Sequence, residues 1–429
     1  MGHELGTRNQ ELGTFMAHIV AIFGGAVSGA EAAFQLSQRG IRSVVFDQNV
    51  LPYGKIEDGL PKWHAKLRDQ EEAKINQKLN HELVEFVPKC ALGKEIDFED
   101  LVQNWGFSAI LLATGAWKDR PLSIGGINKF IGKNFHYQNP FIYWFNHFHE
   151  PNFSGQNIEI HNGAIVIGGG LASIDVCKAL MLLYVEKALK NRGIETNILE
   201  LEKGINRKLN ELNLTLEDLG IEGCTLYYRR RIKDMRLSPI PADSPEKLSK
   251  IQMIREKILN NARKKFLFNV EELHIPIDKI EENGELKGLI FQKTEIIDGK
   301  SIPIKNSEKE VYSPMIISSI GSIHVPIKGI PMKWQTFDID QENCCRLRGF
   351  KNVFALGNAV TGRGNIIESA KHDRKVTSKV ADEYLVETGD LIEKKVEEKT
   401  SSISKQINNI FGQIEKLNPP NTYKPIHKN

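Results

Sequence analysis

The sequence predicts an α/β protein with two Rossmann-like dinucleotide-binding domains, of which the second is inserted in the first. Two observations carry this prediction. Glycine-rich turns occur at residues 24–29 and 168–173, and each lies between a short apolar run and a helical pattern. Three further apolar runs end near residues 113, 320 and 356, and a glycine follows each of them within two residues. Strands of a doubly wound sheet end in this way, because their ligands lie beyond the carboxyl ends.

The composition is that of a folded protein. Of the 429 residues, 41% are hydrophobic and 26% are charged, which excludes wholesale disorder and predicts two or three domains. The 57 Lys and Arg residues nearly balance the 54 Asp and Glu residues, so we expect no nucleic acid as a partner. No apolar run approaches the ~20 residues of a membrane helix, and the N-terminal residues lack the apolar core of a secretory signal.

The five cysteines are scattered, and no two of them form a C-x-x-C pair. The pattern therefore predicts neither a thioredoxin-like redox pair nor a metal site. We interpret the adjacent Cys344 and Cys345 as structural or incidental. Scattered thiols favour a reducing compartment, and we expect the protein to be cytoplasmic.

The first glycine turn opens a parallel βαβ unit. Residues 18–23 are predicted as a strand, residues 30–39 as a helix and residues 43–46 as a second strand that Asp47 closes. Amide groups at the start of such a helix hold a pyrophosphate, and the acid accepts the ribose hydroxyls. Ala26 replaces the middle glycine of G-x-G-x-x-G, which narrows the approach of the phosphates without preventing it. The predicted contacts are Gly24, Gly25, Ala26, Ser28, Gly29 and Asp47.

The second glycine turn is followed, later in the chain, by a predicted strand that ends in basic residues. Residues 224–228 are predicted as a strand, and three arginines follow it where the first unit has an acid. Paired guanidinium groups suit a 2′-phosphate, so this half should prefer NADPH to NADH. The alternative is a basic surface loop. The predicted contacts are Gly168, Gly170, Leu171, Ala172, Ser173, Arg229 and Arg230.

Charge is concentrated between residues 229 and 265. This segment holds twelve Lys or Arg and four Asp or Glu residues, a net charge of 12 − 4 = +8, within a chain of net charge +3. It predicts a docking face for an acidic partner, or else a helix with a lysine-rich outer face.

In the tail, apolar residues spaced 4-3-4-3 predict an amphipathic helix that packs on its own subunit: Ile403, Ile407, Ile410, Ile414 and Leu417.

Several stretches follow the motifs of one family in order. They are residues 51–64 for P-[FY]-G…G-V-x-P-D-H, residues 141–146 for F-V-x-W-[YF]-N, residues 167–176 for the nucleotide turn with x-D-V, residues 228–230 for G-R-R, and residues 317–322 for S-I-G-Y. Residues 352–367 are similar in spacing to its last flavin segment. On these motifs the chain resembles the adrenodoxin reductase-type ferredoxin–NADP reductases of the glutathione-reductase-like superfamily.

The resemblance implies FAD in the first unit and NADPH in the second. It places His64 and Asp175 on a histidine and an aspartate that lie near the flavin and couple proton movement to it. Two departures fall in the last segment, where Asn358 replaces a tryptophan and residues 364–365 replace Thr-Gly. The residues after the apolar run that ends near residue 113, together with this last segment, are further predicted cofactor contacts: Thr114, Gly115, Gly357, Asn358, Asn365 and Ile366.

The expected protein is therefore an FAD-dependent NADPH oxidoreductase that passes electrons to a one-electron acceptor, such as the acidic protein ferredoxin. The alternatives are a flavoenzyme acting on a small organic substrate and a non-catalytic flavin-binding module. The sequence leaves the oligomeric state open. The expected divisions are an extension (1–18), the FAD domain (19–118 and 319–388), the NADPH domain (119–318) and a C-terminal helix and tail (389–429).

Overall fold

The computed structural model describes residues 18–238, 244–361, 366–385 and 392–417. Its strands are β1 (Ile19–Phe23), β2 (Arg42–Phe46), β3 (Val84–Val87), β4 (Ala109–Leu112), β5 (Lys118–Asp119), β6 (Phe135–Tyr137), β7 (Ile165–Gly168), β8 (Thr225–Tyr228), β9 (Asn269–Glu272), β10 (His274–Glu282), β11 (Glu285–Ile297), β12 (Lys300–Tyr312), β13 (Ile316–Ser319), β14 (Ser322–Ile323), β15 (Met332–Lys333), β16 (Thr336–Phe337), β17 (Ile339–Asp340), β18 (Arg346–Leu347) and β19 (Val353–Ala355).

The helices lie between these strands and after them. They are α1 (Val27–Ser37), α2 (Lys55–Asp58), α3 (Ala65–Leu79), α4 (Phe98–Asn104), α5 (Gln138–His147), α6 (Leu171–Asn191), α7 (Ile198–Glu202), α8 (Ile205–Glu211), α9 (Pro245–Phe266), α10 (Asn358–Thr361), α11 (Ile366–Lys379) and α12 (Ile392–Leu417). Short 3-10 turns occupy Lys62–His64, Ile127–Phe130 and Ile232–Asp234, and a π-helical turn occupies Val380–Tyr384.

The chain divides into two compact units. The first consists of the described parts of Met1–Leu60, Ala65–Trp117 and Ile323–Asn429, and the second of Pro61–His64 and Lys118–Ser322. The turn that carries His64 is thus grouped with the second unit, whereas the sequence analysis placed residues 61–64 in the first domain.

The first unit is built on the sheet β17-β18-β19-β4-β1-β2-β3. Strands β19, β4, β1, β2 and β3 are parallel, and Phe23 pairs with both Phe46 and Leu112. Alternate residues of β1 enter two different cores, because the sheet is covered on both faces. The carboxyl ends of four strands therefore meet at one edge, where Gly24, Asp47 and the residues after β4 and β19 follow.

Helix α12 packs on the first unit. Ile403, Ile407 and Ile410 are buried in the same core as Ile19 and Val353, so the apolar stripe of the tail is covered within its own subunit, as the sequence analysis expects. The side chains of Ile414 and Leu417, the other members of the stripe, lie outside the described residues.

The second unit is built on the parallel sheet β6-β13-β7-β8-β9. Helix α6 is buried along most of its length against this sheet. It begins at Leu171, because the glycine turn leads directly into it. The antiparallel strands β10, β11 and β12 form a further sheet that the sequence analysis did not predict.

Candidate functional site

The first glycine turn and Asp47 contact each other at the carboxyl edge of the first sheet. The amide of Gly25 donates to Oδ2 of Asp47 over 2.7 Å, and the amide of Asn49 donates to Oδ1 over 2.8 Å. Burial raises the pKa of Asp47, although both amides act to lower it. Each carboxylate oxygen keeps a lone pair, so Asp47 can still accept hydroxyl groups such as those of a ribose.

The geometry of this turn requires some of its glycines and not others. A Cβ on Gly29 would lie 1.7 Å from the carbonyl oxygen of Gly24, so only glycine allows this approach of α1 to β1. Ala26, by contrast, precedes α1 with φ −70°, which any residue adopts, and it makes no side-chain cap. The alanine at the middle position is therefore compatible with the turn, and it leaves the first amides of α1 without a side-chain acceptor.

Two predicted segments of the first unit are joined by His324, which the sequence analysis missed. Its Nδ1 donates to the carbonyl oxygen of Gly115 over 2.7 Å, and its ring stacks on Phe337 with 5.0 Å between centroids. The side chain is 3% exposed. Burial lowers the pKa of His324, although backbone carbonyls of Gly115 and Asn358 act to raise it. A lone histidine outside any motif gives no sequence signal for this position.

The segment after β19 offers unsatisfied polar atoms. The amide of Gly357 donates to Oδ1 of Asp373 on α11, and a Cβ on Gly357 would overlap Oγ of Ser28. Oδ2 of Asp373 and Oδ1 of Asn358 are buried without a hydrogen-bond partner among the described residues. Buried acceptors of this kind need donors, which the hydroxyl-rich FAD molecule has. Ile366 begins α11, and Asn365 lies outside the described residues.

The second glycine turn is closed on one side and open on the other. A Cβ on Gly169 would lie 2.1 Å from the ring of Tyr228, whereas a Cβ on Gly170 would have no neighbour within 4 Å. Oγ of the buried Ser173 donates to the carbonyl of Gly170 over 2.6 Å and so fixes the first turn of α6. Leu171 is 52% exposed. The open side at residues 170–172 is where a phosphate can approach the helix N-terminus.

The three arginines after β8 differ in their surroundings. Arg231 forms a bidentate pair with Asp234, with distances of 2.9 and 3.2 Å. Arg230 lies 3.9 Å from the same carboxylate, and its Nε is buried without an acceptor among the described residues. Arg229 is exposed. Its carbonyl accepts hydrogen bonds from the side chains of Thr294 and Ser301. Arg229 and Arg230 thus fit a bound phosphate better than Arg231 does.

His64 and Asp175 lie together in the second unit. Nε2 of His64 is 3.6 Å from Oδ1 of Asp175, and both side chains are partly exposed. His64 ends a 3-10 turn, and Asp175 lies in the second turn of α6. The two residues that the resemblance pairs are therefore close enough to share a proton through small movements or one water molecule.

Trp63 and Lys178 support this pair, and the sequence analysis named neither. Nζ of Lys178 lies 4.0 Å from the ring centroid of Trp63 and donates to Glu202 over 2.8 Å. The indole also packs edge-on against Phe145. Burial lowers the pKa of Lys178, although Glu202 acts to raise it. A cation held against the face of the indole restrains the turn that carries His64.

Residues 18–219 match the family described as pyridine nucleotide-disulphide oxidoreductase. The fold class predicted from the sequence is confirmed by the two parallel sheets. The match covers the first glycine turn, the second glycine turn, His64 and Asp175, and it agrees with the predicted class of enzyme, an oxidoreductase that uses FAD and NADPH. No curated protein matches the sequence.

Solved structures share the fold over most of the chain. FprA of Mycobacterium tuberculosis in complex with NADPH is 17% identical, with 92% of this chain and 91% of that chain covered and a TM-score of 0.68. Thioredoxin reductase of Lactococcus lactis is 15% identical, with 86% of this chain and 100% of that chain covered and a TM-score of 0.51. None of the helices in the described ranges is long and apolar enough to cross a membrane.

Proposed function

We propose that the protein carries electrons from NADPH through FAD to a small acidic one-electron carrier, with ferredoxin as the best-fitting class. The family match supports the use of both cofactors. The observation that supports this kind of acceptor is a stripe on the exposed face of α9, which we call the lysine stripe: Lys250, Met253, Lys257 and Lys264.

The lysine stripe follows from the register of the helix. Its four members are spaced 3, 4 and 7 residues apart, so they lie on one face of α9. The opposite face is anchored by Ile251, Leu259 and Phe266, which are buried. Met253 is 68% exposed. An apolar centre flanked by cations is suited to brief, salt-sensitive docking of an acidic protein.

We assign the residues of the chain to separate tasks in this reaction. Asp47 and the first turn would hold FAD, and Arg229 and Arg230 would hold the 2′-phosphate of NADPH. When bound, FAD supplies the conversion of a two-electron donor into single electrons. His64 and Asp175 would hold and move the proton that accompanies reduction. Because all five cysteines are free thiols, we also propose the cytoplasm as the compartment.

The proposal is tested by reversing the charge of the stripe. The variant Lys250→Glu, Lys257→Glu, Lys264→Glu is compared with Lys300→Glu, Lys305→Glu, Lys309→Glu on β12, where the three lysines are also exposed. Arg255 and Arg263 are left intact because they are half-buried. Two rates are measured: NADPH-dependent bleaching of the flavin, and reduction of cytochrome c through added ferredoxin at several salt concentrations.

The stripe variant should lose about tenfold or more of the ferredoxin-dependent rate at low salt, because steered association is lost. Flavin bleaching should not change, and the β12 variant should behave as the unmodified protein. If the ferredoxin-dependent rates of the two variants remained within about twofold of each other, as expected for exposed charges that contribute little to binding, the acidic carrier would be excluded. A small organic acceptor would then be the better assignment.

A further inference from the structure

A thiol, an imidazole and a carboxylate form a row in the first unit, where the sequence analysis assigned no chemistry. Sγ of Cys345 lies 3.7 Å from Nε2 of His372, and Nδ1 of His372 lies 3.4 Å from Oδ1 of Asp373. Cys345 precedes β18, and the other two residues lie on α11. Nucleophile, base and orienting acid in this order are the elements of an activated thiol.

The surroundings of the row favour a charged imidazole. Hydrogen bonds to Asp373 and Cys345 raise the pKa of His372 to about 9, although burial acts to lower it. Asp373 is fully buried, whereas 24% of the His372 side chain is exposed. The charged groups that act on the adjacent thiol of Cys344 are Lys379, Glu383 and Arg346.

The neighbouring cysteine differs in its environment. Burial raises the pKa of Cys344, and its Sγ lies 4.0 Å from Oε2 of Glu383 rather than beside an imidazole. Both cysteines have left-handed backbone conformations, with φ of 54° and 56°. Two successive residues in this region store strain, which proteins retain mainly at functional sites. Within the described ranges, no group of three metal-ligating side chains could hold a metal ion.

We propose that Cys345 is a peroxide-reactive thiol and that His372 is the proton donor of the reaction. The thiolate sulfur attacks one oxygen of a hydroperoxide, an S–O bond forms and the O–O bond breaks. Sulfur is oxidised by two electrons to a sulfenic acid, and the peroxide is reduced. The departing oxygen takes the proton of the His372 imidazolium and leaves as water or an alcohol. This site is separate from the proposed electron acceptor and does not depend on it.

Three other cysteines provide comparison within the same molecule. Cys90, Cys177 and Cys224 are buried to a similar degree as Cys345. Burial raises the pKa of Cys90 to about 12 and also raises that of Cys177. Because these thiols have no imidazole within hydrogen-bond distance among the described residues, they should remain inert under conditions in which Cys345 reacts.

The experiment uses the full chain with its flavin and hydrogen peroxide as the probe. After timed exposure the peroxide is removed with catalase, the protein is unfolded, and the remaining thiols are alkylated and quantified by peptide mass spectrometry. A Cys344→Ser variant treated with dimedone identifies the oxidised sulfur. Cys345 should be oxidised at least ~10-fold faster than Cys90, Cys177 and Cys224. An ordinary thiol is only a few per cent thiolate at neutral pH, whereas Cys345 has an imidazole beside it that can take its proton.

His372→Gln should lower the rate at neutral pH about tenfold or more and make it rise with pH. Lys375→Gln removes a cation from the exposed face of the same helix and should leave the rate unchanged. Asp373 is not varied, because it also holds the Gly357 amide. The proposal is wrong if Cys345 is oxidised no faster than Cys90, or if the two helix variants react alike.

Discussion

Nδ1 of His324 lies 2.7 Å from the carbonyl oxygen of Gly115. Gly115 follows β4, and Asn358, whose carbonyl also faces the imidazole, follows β19. One buried side chain thus links two strand ends that the sequence analysis assigned separately to FAD. Burial lowers the pKa of His324 and so favours the uncharged imidazole, which can still donate a hydrogen bond to buried backbone.

We predict that His324→Leu weakens FAD binding. The change leaves the Gly115 carbonyl without its buried donor, which costs ~1–3 kcal/mol and corresponds to about 5- to 150-fold in Kd. Titration of the flavin-free protein with FAD measures the effect. His136→Leu is the matched control, because His136 is also buried and bound to a backbone carbonyl, but lies in the second unit. Equal losses of FAD affinity in both variants would contradict the assignment.

We predict that Arg229 and Arg230 bind the 2′-phosphate of NADP⁺. Replacement of either by Ala should weaken NADP⁺ binding by about 10- to 150-fold at most, because a charged hydrogen bond contributes ~1.5–3 kcal/mol. Binding of NAD⁺ should hardly change. Arg231→Ala should leave the ratio of the two affinities unaltered, because Arg231 is held by Asp234. Calorimetric titration with both nucleotides tests this, and a parallel loss of both would assign the arginines another role.

Helix α12 should stabilise the first unit without taking part in cofactor binding. Ile403→Ala should lower the free energy of unfolding by ~2–4 kcal/mol, since Ile403 is 2% exposed in the core. Ser402→Ala on the exposed face should stay within ~0.5 kcal/mol. Chain truncation after Leu385 should lower the melting temperature while FAD stays bound. Conversion of a dimer into a stable monomer by this truncation would show that the helix serves subunit contacts instead.

The position of much of the candidate site could be predicted because these residues follow strand ends. The apolar runs that precede Gly24, Asp47, Gly168 and Arg229 are short and uninterrupted, and parallel strands place their carboxyl ends at one edge. Only local sequence is needed to see this. Helix α1 begins at Val27, three residues before the predicted start at residue 30, because glycine and alanine in the turn conceal the first helical turn.

The features that the sequence analysis missed arise from contacts between distant residues. His324 and Gly115 are 209 residues apart, and Cys345 and His372 are 27 residues apart. Neither pair forms a motif, so only the folded chain brings them together. The strands β10 to β12 carry mixed charged and apolar residues on exposed faces, and this weakens the alternation by which strands are usually found.

A buried carboxylate on α1 should make the first unit sensitive to acid. Glu31 accepts hydrogen bonds from Lys78 over 2.7 Å and from Arg374 over 2.8 Å. Burial acts to raise the pKa of Glu31, but these two cations hold it below the ordinary value of 4.5. A carboxylate with a lowered pKa in the folded state stabilises the fold fully above pH 4.5, and this stability is lost as the pH falls through the folded-state pKa.

Glu31→Gln should therefore lower the free energy of unfolding by ~1–3 kcal/mol at neutral pH, the contribution of hydrogen bonds to a charged group. Below pH 4.5 the difference from the unmodified protein should shrink, because protonation of Glu31 removes the same interaction. Asp382→Asn, which breaks the more exposed pair with Arg39, should cost less than ~1 kcal/mol. Urea unfolding at several pH values distinguishes the two pairs. A Glu31→Gln penalty that persisted unchanged in acid would mean that packing, rather than charge, is the contribution of this side chain.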